Sequence, residues 1–146
     1  MTPRDIELVQ QSYAKVAPIA DQAAAMFYAR LFELDPSLKS LFRGDIAEQG
    51  KRLMDMIAAA VQDLDDLDSL VPVVEDLGRR HVRYGVTADN YDTVGRALLD
   101  TLEKSLAEAF TDDVRRAWTT VYGVLSTTMV AAARDVPAPL ASEAVA

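Results

Sequence analysis

One histidine, His81, is the most versatile chemical group in this chain of 146 residues. It repeats in register with Leu77 and Tyr84 on one face of an amphipathic stretch, so its imidazole points toward a core. There it can be a plain core residue bonded to a carbonyl. It can also offer one nitrogen to a metal while the other donates to a carbonyl, although by itself the histidine reads as a core residue. No cysteine is present, which removes disulfides, iron–sulfur clusters, thiolate zinc sites and thioether-linked prosthetic groups. The acidic run Asp63-Leu64-Asp65-Asp66-Leu67-Asp68-Ser69 lacks the central glycine and closing glutamate of a calcium loop and reads as a solvated turn. Two more polar side chains stand among apolar neighbours. Tyr28 lies beside Phe27 in a strongly apolar segment, where a buried phenol must find a partner. Gln49 shares a stripe with Leu53 and Ile57 at i, i+4 and i+8, although by itself it reads as a surface glutamine.

The segments that must position these groups are all helical. Thr2-Pro3 followed by Asp5 is a start signal, and Ile6, Val9, Tyr13 and Val16 repeat at helical spacing up to Pro18. A second helix carries Ile19, Ala23, Met26, Phe27 and Leu31 and ends before Asp35-Pro36, which caps a short third helix with Leu38, Leu41 and Phe42. Gly44-Asp45 breaks the chain, and Ile46, Gly50, Leu53, Ile57, Val61 and Leu64 then form one stripe. Beyond Pro72, Val74, Leu77, His81 and Tyr84 mark a helix stopped by Gly85, where a left-handed residue is wanted. Thr87 caps a long helix with Tyr91, Val94, Leu98, Leu102 and Leu106. Thr111 caps the last, with Val114, Trp118, Val121, Leu125 and Met129. No segment alternates with period two over a useful length, and no Gly-rich phosphate loop or repeat is present. The pattern predicts one all-α domain of about seven helices over residues 1–134 and a flexible tail over 135–146.

Composition narrows the partners. Half the chain is hydrophobic, and 23 acids against 15 bases give a net charge of −8. Phosphate backbones and anionic membranes repel such a surface unless its bases cluster. The densest cluster, Arg79, Arg80 and Arg83, is too small to suggest a nucleic-acid face. The longest apolar run, Met56 to Val61, falls far short of the roughly 18 residues a membrane helix needs. The polar start is unlike a secretory signal, and a cytoplasmic location is expected.

The stretch Leu77-Gly-Arg-Arg-His81-Val-Arg-Tyr-Gly85-Val-Thr-Ala-Asp-Asn-Tyr91-Asp-Thr-Val94-Gly-Arg-Ala-Leu-Leu99 resembles the proximal segment of the bacterial globins. These are the haem domains of flavohaemoglobins and their single-domain, Vitreoscilla-haemoglobin-like relatives. Met26-Phe-Tyr28-Ala-Arg-Leu-Phe-Glu-Leu-Asp-Pro36 and Leu41-Phe42 resemble the family's second helix and the corner after it. Glu48-Gln49-Gly-Lys-Arg-Leu53 resembles its distal helix, and Ala117-Trp118-Thr-Thr-Val-Tyr122-Gly123 its last. The resemblance runs from about residue 6 to 134 in constant order.

That resemblance implies a globin fold around haem b, with His81 as the one protein ligand to iron and Tyr28, Gln49 and Leu53 on the opposite, ligand-binding face. Phe42, Ile57, Leu77, Val86, Tyr91, Val94, Leu98, Leu125 and Met129 would pack on the ring, and Arg52 or Arg80 would meet a propionate. A phenol donating to a partly negative diatomic ligand contributes about 1–3 kcal/mol, so Tyr28 points to tight binding. No second histidine exists to fill the sixth iron position. An empty haem-sized void of roughly 400 Å³ would cost near 10 kcal/mol at about 24 cal/mol per Å³, so something must fill it or the region melts. One departure matters: the family's proximal network uses a tyrosine, matched by Tyr91, and a glutamate that would fall near Ala133. Here Ala131, Ala132 and Ala133 are followed by Arg134. The imidazole then gains less anionic character, and the flavin and nicotinamide domains of the longer relatives are missing from the chain. The expected function is therefore reversible dioxygen binding at a five-coordinate haem, with nitric oxide and carbon monoxide as further ligands, a separate reductase as partner, and a monomer or homodimer. Nitric oxide dioxygenation and gas sensing are the alternatives.

Overall fold

The computed structural model describes residues 1–42 and 44–134. The predicted tail over 135–146 lies outside the described residues. Six α-helices follow one another: α1 (Pro3–Val16), α2 (Ala20–Leu34), α3 (Ile46–Gln62), α4 (Leu67–Arg83), α5 (Ala88–Leu106) and α6 (Asp112–Ala133). The expected short helix after Asp35-Pro36 is a 3-10 turn, Pro36–Leu41; counted as a helix, it brings the total to the expected seven.

The ends form where capping chemistry places them. Thr2 and Asp5 exchange hydrogen bonds, each backbone N–H donating to the other's side chain, in a full capping box. Asp45 accepts from the Ala47 N–H at 2.9 Å to open α3, and Thr111 accepts from Val114 to open α6. One boundary differs from the sequence reading. Helix α4 begins at Leu67, five residues before Pro72, and the acidic turn is correspondingly shorter. The reason is packing: Leu70 and Val74 are both buried and carry the apolar stripe upstream through the proline. The carbonyl that Pro72 leaves without a helical donor belongs to Asp68, an exposed residue.

The helices pack as a crossed bundle in which α6 lies along α1 and α4, and α2 lies across α3 and α5. Gly78 makes the α4–α6 crossing possible, since a Cβ there would stand 2.4 Å from the Met129 carbonyl oxygen. Two apolar clusters result. The larger one joins all six helices around Val9, Val16, Leu64, Leu102 and Trp118, with Ala23 and Ala24 from α2. The smaller one joins α2, the 3-10 corner and α5 around Phe27, Tyr28, Leu31, Leu38 and Ala97. Leu98 packs on both. By contrast α3 and α4, successive along the chain, scarcely touch.

Candidate functional site

The candidate residues lie on the elements that flank the gap between α3 and α4. On the α4 side, His81 Nδ1 lies 2.7 Å from the Leu77 carbonyl oxygen one turn back. A carbonyl only accepts, so Nδ1 carries the proton and Nε2 keeps its lone pair. No partner for Nε2 occurs among the described residues. Burial pushes the imidazole below its ordinary range; the Leu77 bond opposes that shift, and the Arg80 charge adds to it. A neutral ring with a protonated Nδ1 and a free Nε2 is the form that binds metal.

The end of α4 is built to hold that ring. Gly85 has φ +91°, a conformation side chains resist. Its N–H donates to the Val82 carbonyl and the Val86 N–H donates back to His81 itself, each at 3.0 Å. This paired closure of a helix ties Val86 to the residue it must accompany. Tyr91, from the first turns of α5, places its ring 6.4 Å from the imidazole, and Tyr84 is 5.9 Å away on the other side.

On the facing side, Tyr28 is buried on α2 and packs edge-on to Phe27 at 5.1 Å and Phe42 at 5.3 Å. Its hydroxyl has no hydrogen-bond partner among the described residues, and burial pushes it up to about 12. The phenol is thus a permanent donor at any physiological pH. Gln49, in the first turns of α3, is half-buried, with Leu53 and Ile57 following on the same stripe. Gly50 lets α3 close on α2, where its Cβ would sit 3.0 Å from that of Ala24 and 3.8 Å from the Tyr28 ring.

The haem that the resemblance implies needs one free imidazole nitrogen and apolar walls left uncovered by protein, and the residues present fit it. Phe42, Leu53, Ile57, Leu77, Val86, Val94, Leu98 and Leu125 are all half-buried, as is Tyr91. Leu31, Leu64 and Leu102, inside the two apolar clusters, are by contrast sealed. Met129 is also closed over, by the α4–α6 crossing. Arg52 is exposed, and Arg80 is exposed and paired with Asp76 at 3.2 Å. The small cavity lined in part by Leu53, Ile57 and Leu98 is only about 20 Å³, room for no more than one small molecule. A wider cleft of about 520 Å³ opens between α5 and α6 around Arg96, Leu99 and Tyr122. It lacks His81, and two of its charges are already neutralised, Asp100 by Arg30 and Arg115 by Glu103.

The sequence reading did not single out Tyr122 as a positioning group. Its ring occupies the space that a side chain at Gly95 would need, and its hydroxyl donates to the Tyr91 carbonyl at 2.7 Å. It therefore fixes the turn of α5 that carries Tyr91 beside His81. The pairing joins positions 31 residues apart and leaves no local signal. Tyr13 and Gln10 escaped notice for the same reason: they bind α1 to the back of α3 through the Met54 and Val61 carbonyls. No helix among the described residues is long and apolar enough to cross a membrane.

Comparison with known proteins agrees with this geometry. The family model described as Globin matches residues 25–129. The neuroglobin of Dissostichus mawsoni is 32% identical, with 88% of this chain and 90% of that protein covered. The neuroglobin of Danio rerio is 33% identical with the same coverage. A hexacoordinated haem protein from an anhydrobiotic tardigrade shares the fold at a TM-score of 0.84 and 21% identity, over 92% of this chain and 96% of that one. From the slot between α3 and α4 to the order of its six helices, the chain belongs to the globin family.

Proposed function

We propose that this globin holds haem b through His81 and binds dioxygen reversibly, as a single-domain haemoglobin of the bacterial kind that works with a separate reductase. The observation that carries the reading is the His81 Nδ1–Leu77 bond of 2.7 Å, which leaves Nε2 unprotonated beside uncovered apolar walls. When bound, haem supplies the iron at which a diatomic gas attaches. The chain's own residues do the rest. His81 anchors and orients, Phe42 and Val94 cover the ring, and Leu53 with Ile57 keeps water away. Tyr28 donates a hydrogen bond to the gas, with Gln49 nearer the entrance.

The tardigrade protein is described as hexacoordinated. This chain has a single histidine, so no second imidazole of the chain would compete with a gas for the iron held by His81. Nitric oxide dioxygenation ranks second: no carboxylate is among the groups acting on His81, and α6 ends in Ala131–Ala133 where the family glutamate would stand. The test is a haem titration followed by visible spectroscopy. Haem uptake should give a Soret band, and the reduced protein one broad visible band that shifts on exposure to dioxygen. His81→Ala should lose this spectrum and recover it with added imidazole. Two sharp bands in the reduced protein, or an unaltered His81→Ala spectrum, would refute the assignment.

A further inference from the structure

Positive charge is concentrated at one end of an otherwise acidic molecule. The stretches 39–52 and 76–86 hold seven of the fifteen bases and three of the twenty-three acids, a net of +4 that leaves −12 on the rest of the chain. The fold brings the two stretches together. A Cβ on Gly85 would lie 3.3 Å from Leu41 Cδ2, so the corner before α3 abuts the end of α4. Lys39, Lys51, Arg52, Arg79 and Arg80 are all exposed. Among the described residues only Arg80 of these five has an ion-pair partner, Asp76. Elsewhere Arg4, Arg30, Arg115 and Arg116 are each paired with an acid. Of the acids in the basic region, Asp45 is engaged as the cap of α3.

This basic end also carries Gln49 on α3 and His81 on α4, the residues assigned above to the two faces of the haem. From that coincidence we infer that it is the docking surface for an acidic one-electron donor protein. The inference rests on the haem reading above, since the donor returns ferric haem to the ferrous state. One electron leaves the donor, which is oxidised by one equivalent, and one arrives at the iron; no bond is made or broken. The two electrostatic scales act in opposite directions. The net charge of −8 repels an acidic donor at long range, while the basic end attracts it at short range. Focused local charge, rather than net charge, governs encounter when the patch surrounds the contact point.

The sign of the salt dependence separates the two. Photoreduced flavodoxin serves as the acidic donor, and stopped-flow spectroscopy follows reduction of the ferric holoprotein from about 10 mM to about 300 mM ionic strength, where screening lengths fall from about 30 Å to under 10 Å. The rate constant should fall about ten-fold with added salt. At low salt Lys51→Glu with Arg79→Glu should lose about as much. Lys15→Glu with Lys104→Glu, on other elements, should stay within about two-fold of the parent. Unchanged Soret bands and melting temperatures establish that both variants are folded and loaded. A rate that rises with salt, or equal losses in both double variants, overturns the docking surface while leaving haem binding intact. A protein that takes up no haem overturns both.

Discussion

In the proposed site Tyr28 and Gln49 face the same ligand, and conformational freedom ranks them. The Tyr28 ring is held between Phe27, Phe32 and Phe42, so its hydroxyl is already placed and loses little entropy in donating. Gln49 is half-buried with no side-chain bond among the described residues and must order three rotatable bonds first. Tyr28→Phe should therefore speed dioxygen release by roughly ten-fold or more, equivalent to about 1.4 kcal/mol for one donor lost. Carbon monoxide, whose bound form carries less charge, should respond less. Stopped-flow release rates decide the matter; a larger change in Gln49→Leu would exchange the two roles. His81 gives a second prediction, for the haem-free protein. Burial holds its folded form below the ordinary 6.5, so between the two values the unfolded chain binds the extra proton. Stability contributed by the neutral ring is present above about pH 6.5 and is lost as pH falls toward the folded value. Because no other histidine exists, urea midpoints of His81→Gln should be flatter than those of the parent between about pH 5 and 7. Equal slopes would place the proton elsewhere. At this scale the sequence exposed the pieces that obey local periodicity, His81 over Leu77 and Gln49 over Leu53. It hid Tyr122 and Tyr13, whose hydroxyls reach carbonyls 31 and 41 positions away.

Among the elements, the α4–α6 crossing controls where His81 sits. Gly78 lies three residues before it, against the backbone of Met129. Gly78→Ala gains about 1 kcal/mol of helix propensity. It also drives a methyl to within 2.4 Å of a carbonyl oxygen, and overpacking of that kind costs about 1–3 kcal/mol. Backbone cannot rotate aside as a side-chain tip can, so the steric cost should win. The variant should unfold at lower urea and bind haem more weakly, as α4 is levered off α6. A midpoint equal to or above the parent's would show that the two helices have slack. Caps explain why most element boundaries were legible: Thr2, Asp45 and Thr111 all perform the capping their residue types announce. Pro72 misled because a proline is a boundary only where no apolar stripe continues through it, and Leu70 with Val74 continues the stripe of α4. The closeness of Gly78 to Met129 was not legible, since a glycine in a helix carries no mark of what crosses it.

For the whole molecule, the fold consists of two apolar clusters that share Leu98. The sequence pattern predicted one all-α domain but not how its apolar faces divide, because periodicity records which side of each helix is apolar and not whether those sides meet. The walls left half-buried make haem a structural member as well as a gas-binding group. Its binding free energy becomes folding free energy, about 4 kcal/mol when free haem exceeds its dissociation constant a thousand-fold. That stabilisation should be unevenly distributed. Helices α1 and α6 are sealed together by Val9, Trp118 and the Trp118–Ser12 hydrogen bond of 2.8 Å, and they need nothing from the slot. The last turn of α4 has exposed Arg79 and Arg80, a half-buried His81 and the Gly85 closure, so its amides depend on what fills the gap. Hydrogen exchange read by mass spectrometry should find the segment 79–86 poorly protected in haem-free protein and strongly protected once haem is added. The segment 114–121 should change little between the two forms. Equal protection of 79–86 in both would mean that α4 closes on its own, and the slot would then be a surface feature with no claim on the ring.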